Sequence, residues 1–173
     1  MKRPVIADLA KNLSRREKQV FSLLGEGKSA AEIRSRLRLG TKTVENYRFR
    51  LKQKLGVTNI YQLVRLAVLW RERVLPRPPL MRNASAAAHR LSPREKQVLG
   101  LIGQGKRAIE VATQLRLSRN TVQEYCTRAK QKLGAANIYQ LVRMAVVWRE
   151  TMLANRAEIF PSSCGQIKRT HSR

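Results

Sequence analysis

Residues 13–20, Leu-Ser-Arg-Arg-Glu-Lys-Gln-Val, return at residues 91–98 as Leu-Ser-Pro-Arg-Glu-Lys-Gln-Val. Residues 59–65, Asn-Ile-Tyr-Gln-Leu-Val-Arg, return unchanged at residues 137–143. Both pairs stand 78 positions apart, so the copies align without a gap, and about 37 of the 61 positions from residue 13 to residue 73 are identical in the second copy. A chain that writes one segment twice builds one small fold twice, and with it two versions of one surface. Each copy has about 60 residues, near the lower size at which a core folds without metal or disulfide.

Charge narrows what that surface meets. The 173 residues carry 36 Lys and Arg against 11 Asp and Glu, a formal net charge of +25. The first repeat has 15 basic and 5 acidic residues and the second 11 and 4, so the excess is spread along the chain. A field of this sign attracts a polyanion, either nucleic acid or an anionic membrane surface. No stretch approaches 18 uninterrupted apolar residues, so no membrane span is expected. The basic N-terminus lacks the long apolar run of a secretion signal. Two cysteines, Cys126 and Cys164, make neither a disulfide framework nor a cysteine-built zinc site, and a reducing compartment follows. The expected location is cytoplasmic, in association with a bacterial nucleoid; no metal or cofactor is expected.

The organisation reads as a lead-in over residues 1–12, a first domain over 13–73, a linker over 74–90, a second domain over 91–151 and a basic tail over 152–173. Pro76, Pro78 and Pro79 break any helix continuing from Trp70 and stiffen the first half of an alanine-containing linker. Each repeat reads as four helices. Ser14 with Glu17, and Ser92 with Glu95 after Pro93, form capping boxes for the first helix, and Gly25 and Gly27 end it in the first copy. Ser29 and Glu32 cap the second helix; Arg107 replaces Ser29 in the second copy, where loss of this cap is expected. Val44, Tyr47, Leu51 and Leu55 define one face of the third helix, as do Val122, Tyr125, Ala129 and Leu133. Gly56 stops that helix, and Asn59 caps a fourth carrying Leu63, Val64, Ala67 and Trp70. No window sustains period-two alternation, so strands are not expected and the fold class is all-α.

Two short helices joined by a tight turn within a four-helix unit suggest helix-turn-helix. The motifs Leu-Ser-x-Arg-Glu-x-x-Val, Gly-Lys-Ser-x-x-Glu-Ile, Leu-x-Leu, Thr-Val-x-Asn-Tyr-Arg, Lys-Leu-Gly-Val-x-Asn and Gln-Leu-Val-Arg-Leu-Ala resemble the DNA-binding domain of the LuxR/FixJ (GerE-type) transcription regulators. The resemblance covers nearly the whole of each repeat. It implies two tandem LuxR-type helix-turn-helix domains whose third helix lies in the DNA major groove. It also implies base-reading positions just after Thr-Val and one turn later, which are Glu45, Asn46 and Phe49 in the first copy and Gln123, Glu124 and Thr127 in the second. Asn46 or Gln123 can pair bidentately with adenine, and Glu45 or Glu124 can accept from cytosine N4. Lys42, Thr43, Arg119 and Thr121 stand in the first turn, where hydroxyls, cations and the helix N-terminus suit phosphate. Arg50, Lys54, Arg128 and Lys132 are expected on the DNA backbone. The chain departs from the family where a basic residue often occupies the position of Glu45 and a histidine that of Tyr47. An acidic reader repels phosphate, so Glu45 either reads cytosine or lowers non-specific affinity. Tyr47 and Tyr125 read as core with the hydroxyl at the edge.

Other residues carry blander readings. Gly25-Glu26-Gly27-Lys28-Ser29 looks like the end of a phosphate-binding loop, but Ser22 stands where its first glycine belongs and no strand precedes it, so a helix stop is expected. Cys126 reads as a small core residue, and Trp70 and Trp148 as packing or subunit-contact residues. Phe49 stands on the reading face, where it can meet a thymine methyl. His89 and His171 fall in linker and tail, and no cluster of acid, base and nucleophile appears, so catalysis is not expected.

The sequence therefore points to a sequence-specific transcription regulator that binds double-stranded DNA and reads two unlike half-sites. An architectural DNA-binding protein and an antagonist that pairs with other LuxR-type proteins through the fourth helix are the alternatives. Members of the family usually carry a receiver or ligand-binding domain ahead of the reader. With about 12 residues before the first repeat, control by such a domain in cis is not expected. RNA polymerase is a further expected partner, and both a homodimer and a pseudo-dimer within one chain remain open. A linker of 17 residues extends to about 55 Å, more than the roughly 34 Å between successive major grooves on one duplex face.

Overall fold

The computed structural model describes residues 10–74 and 89–159, without the side chains of residues 73–74 and 154–159. Most of the linker and much of the tail expected from the sequence lie outside the described residues. The first repeat forms α1 (Arg15–Gly25), α2 (Ala30–Leu37), α3 (Thr41–Leu55) and α4 (Ile60–Val74). The second forms α5 (Pro93–Gly103), α6 (Ala108–Leu115), α7 (Arg119–Leu133) and α8 (Ile138–Ile159). Three of the four helix pairs share both bounds at the offset of 78; in the fourth, α8 continues past the counterpart of Val74. The described residues form no strand, so the fold is all-α.

The helices start and stop for local reasons. Ser14 Oγ accepts the Glu17 N–H while the Glu17 carboxylate takes the Ser14 N–H at 2.7 Å, and Ser92 and Glu95 repeat the arrangement. Each such cap stabilises its helix by about 1 kcal/mol. Ser29 and Glu32 form a third box. Of the loss expected in the second copy, only half occurs. A guanidinium accepts no hydrogen bond, so Arg107 leaves the N–H of Glu110 without that partner, yet the Glu110 carboxylate still takes the Arg107 N–H at 2.6 Å. Asn59 and Asn137 cap α4 and α8 through Oδ1 to Gln62 N and Gln140 N, each at 2.9 Å.

Within each repeat, α1 or α5 lies against the fourth helix over a core that includes Phe21, Leu24, Ile33, Leu51 and Leu63, all essentially inaccessible to solvent. Burying a side chain of this kind stabilises the fold by about 1.5–3 kcal/mol. Gly25 permits the closest approach: a methyl there would lie 2.7 Å from the Ala67 carbonyl oxygen, and one on Gly103 would lie 2.7 Å from that of Ala145. Trp70 and Trp148 are half-buried against the core, and the Trp70 ring meets Phe21 at 5.5 Å between centroids. Cys126 is buried, as a small core residue should be.

The two repeats do not sit apart on a tether. Helices α4 and α8 pack against each other, and the contacts around them are reciprocal. A methyl on Gly27 would lie 3.0 Å from Gln140 Cα; on the equivalent Gly105 it would lie 3.1 Å from Gln62 Cα. Residue i meeting j′ while i′ meets j is what a two-fold axis produces. Arg143 and Glu72 approach to 4.0 Å across the same seam. The pairing is not perfectly symmetric. Asn137 Nδ2 donates to Glu32 at 3.2 Å, whereas the equivalent Asn59 Nδ2 is buried with no hydrogen-bond partner.

Candidate nucleic-acid interface

The turn from α2 to α3 is built on Arg38, which takes the left-handed conformation (φ +52) as C-cap, followed by Leu39 and the N-cap Gly40. Arg116 does the same (φ +54) ahead of Ser118. A non-glycine residue held there costs about 1 kcal/mol, which a fixed turn between two packed helices offsets. The turn buries Val44 and Leu51 of α3, and Val122, Ala129 and Leu133 of α7, and leaves the opposite helix face in solvent. Tyr47 and Tyr125 are half-buried against the core, as expected.

The expected reading residues come together on these exposed faces. Glu45, Asn46 and Phe49 line one shallow depression on α3 together with Arg48, Lys52 and Ile60. Gln123, Glu124 and Thr127 line its counterpart on α7 with Asn120 and Arg128. Phe49 is 55% exposed. The Thr127 hydroxyl donates back to the Gln123 carbonyl at 3.0 Å, which leaves its lone pairs outward. Both glutamates of these faces have a cation beside them. Arg48 donates to Glu45 at 2.7 Å, and Arg128 lies 3.6 Å from Glu124. Each carboxylate's negative field is weakened accordingly.

The expected backbone-contact residues divide. Lys42, Thr43, Arg50, Arg119 and Arg128 are exposed on or beside the helix faces, with Thr121 partly so. The first turns differ. Gly40 offers α3 no side-chain cap, whereas Ser118 Oγ takes the Thr121 N–H at 3.0 Å and shares a hydrogen bond with its hydroxyl at 2.8 Å. Lys54 and Lys132 have another task. Lys54 Nζ sits 2.8 Å from the carboxylate of the buried Glu17, and Lys132 Nζ is 2.8 Å from that of Glu95. Burial pushes both glutamates up, but the lysine ammonium and the serine N–H outweigh it and hold them below the usual carboxylate value. These lysines therefore tie the C-terminal end of the third helix to the capping box of the first.

Sequence reasoning missed Arg48 and Tyr139. Arg48 Nη2 donates to the Tyr139 hydroxyl at 3.0 Å, across the seam between repeats. Arg48 closes the Thr-Val-x-Asn-Tyr-Arg motif, and the further signal was comparative: position 48 changes from arginine to cysteine (Cys126) between the copies.

A short helix, a tight turn and a second helix with a solvent-facing polar surface, backed by a fourth helix, define a helix-turn-helix domain, present here twice. The chain belongs to the luxR family of bacterial regulatory proteins: the family's model matches residues 11–67 and again residues 89–145. Among curated proteins it is similar to the transcriptional activator protein BjaR1 of Bradyrhizobium diazoefficiens, 39% identical over 57 residues, which are 33% of this chain and 24% of that one. It is also similar to the transcriptional regulatory protein DesR of Bacillus subtilis, 37% identical over 60 residues (35% of this chain and 30% of that one). BvgA of Bordetella pertussis is 44% identical over 55 residues, 32% and 26% of the two chains. The chain thus spans less than a third of the length of these relatives. No solved structure matches it. No helix among the described residues is long and apolar enough to cross a membrane.

Proposed function

We propose that this chain is a sequence-specific transcription regulator that binds double-stranded DNA and reads two unlike half-sites with α3 and α7. One observation carries the reading. Two third helices of identical length and boundaries present different side chains on the same exposed face: Glu45, Asn46 and Phe49 on one, Gln123, Glu124 and Thr127 on the other. A duplication kept only for charge has no need of different readers. Base edges are read from helix residues at these positions, whereas cations on the flanks position the duplex without specifying it. Lys42, Thr43, Arg50, Arg119, Thr121 and Arg128 take phosphate in this account. Lys54 and Lys132 do so only while also holding Glu17 and Glu95. The names of BjaR1 and DesR, which describe transcriptional proteins, favour regulation over DNA packaging.

Docking of α4 on α8 supports a pseudo-dimer within one chain, acting where bacterial DNA and RNA polymerase are, in the cytoplasm. It also weighs against an antagonist pairing through the fourth helix, because the sister domain already occupies that helix.

Binding to duplex DNA over a salt series tests the proposal. With six to ten phosphate contacts, affinity falls roughly a thousand-fold or more between about 50 and 200 mM salt. Asn46→Ala and Gln123→Ala should each abolish discrimination at one base pair while leaving non-specific binding in place. A flat salt response, or variants that weaken all sequences equally, would contradict it.

A further inference from the structure

One side chain of the seam reaches from the second domain into the reading face of the first. Tyr139, in the first turn of α8, receives the Arg48 Nη2 hydrogen bond at 3.0 Å and lies beneath the guanidinium, whose carbon is 5.6 Å from the ring centroid. The same guanidinium donates through Nη1 to Glu45 Oε1 at 2.7 Å. Arg48 is only 13% exposed and is held at both ends; Glu45 is 55% exposed and faces outward. A carboxylate has about four acceptor sites, so Glu45 can still accept from a base edge while Arg48 holds Oε1, with its orientation set by that arginine.

The second copy removes every part of this device but the tyrosine. Tyr61 is the counterpart of Tyr139, yet opposite it stands Cys126, buried and uncharged. At the position of Glu45 stands Gln123, also uncharged. Glu45 and Arg48 thus stand together in one copy, and Gln123 and Cys126 replace both in the other. Glu124, the acidic reader of the second copy, is 67% exposed and has only the exposed Arg128 at 3.6 Å.

We infer that Arg48 is a positioning residue for base recognition: held by Tyr139 of the second domain, it sets the direction in which Glu45 accepts from cytosine, so docking of the two domains determines specificity at that one base pair. This rests on the two-half-site reading above. It makes base preference in the first half-site dependent on the second domain.

The test is competition binding by the full chain on duplexes carrying each of the four base pairs, in turn, at every position of the selected site. Tyr139→Phe removes the hydroxyl and nothing else. It should lower the preference for cytosine at the position facing Glu45 by roughly three- to tenfold, with preferences in the second half-site and overall non-specific affinity unchanged. Arg48→Lys keeps the charge, but a single ammonium cannot bridge both partners, and it should shift the same position in the same direction. Tyr61→Phe, whose hydroxyl faces Cys126 where Tyr139 faces Arg48, should leave the position facing Glu45 unchanged. An unaltered profile in both Tyr139→Phe and Arg48→Lys, or a uniform loss across all positions, would overturn the inference alone. So would an equal effect from Tyr61→Phe. A wild-type chain with no base preference anywhere would instead overturn the half-site reading, and the inference with it.

Discussion

At the scale of single residues, one side chain type serves unlike ends in this fold. Asn46 lies on the exposed face of α3, where its amide can meet adenine; Asn59 and Asn137 spend theirs capping helices. Lys42 stands in solvent, whereas Lys54 faces a buried carboxylate that would otherwise lack a counter-charge. Lys54→Met should therefore lower stability, by about 1–2 kcal/mol after allowance for an ammonium that is 42% exposed. Denaturant unfolding checks this. Were Lys54 only a phosphate contact, the midpoint would stay fixed and DNA affinity alone would fall. Sequence reasoning expected Lys54 on the DNA backbone because it is the lysine of the Lys-Leu motif shared with the LuxR/FixJ domains. The competing claim of Glu17, 37 residues earlier, is a tertiary contact with no local signature. The outward residues of α3 and α7 were legible because a helix with one apolar face leaves no doubt about the other.

At the scale of elements, the caps and turns repeat so faithfully that helix starts follow from Ser, Gly and Asn, although α2 and α6 end on Arg38 and Arg116. The exception is α6, where Arg107 replaces the capping serine and Glu110 keeps half of the box. The same caps give the protein an acid limit. Glu17, Glu95 and Glu32 all sit below the ordinary 4.5, Glu32 at about 2, held there first by the backbone and hydroxyl of Ser29 and then by Lys28. A carboxylate whose value is lowered by folding stabilises the native state fully above its unfolded value and loses that contribution as pH falls through the folded one. Stability should thus be level above about pH 5 and decline below 4.5, with the part due to Glu32 lost only on approach to pH 2. Unfolding midpoints measured from pH 7 to pH 2 test this. Glu17→Gln and Glu95→Gln should lower the plateau and flatten the decline; a decline unchanged in those variants would show that the boxes do not carry it.

At the scale of the whole molecule, the docked pair was the part least visible beforehand. The proline-containing linker suggested two tethered domains, and nothing local to either repeat marks Gln62 and Gln140 as residues that lie over the other domain's glycine. The glycines separate docking from folding. Gly27, Gly105, Gly56 and Gly134 all have positive φ, so alanine at any of them adds backbone strain of about 1 kcal/mol. Only at Gly27 and Gly105 would the added methyl also meet the sister domain; Gly56 and Gly134 face open space. Gly27→Ala with Gly105→Ala should loosen the seam, seen as faster amide exchange in α4 and α8 and a larger radius by small-angle scattering. Gly56→Ala with Gly134→Ala should cost similar strain and leave the seam closed. Equal behaviour of the two pairs would mean the domains do not rest on these contacts. The most direct test of the whole account is selection of random duplex DNA by the intact chain. The predicted outcome is one bipartite, non-palindromic site whose halves change separately when Asn46 or Gln123 is replaced. A palindrome, a single half-site insensitive to α7, or no consensus would contradict the account of one chain carrying two different readers.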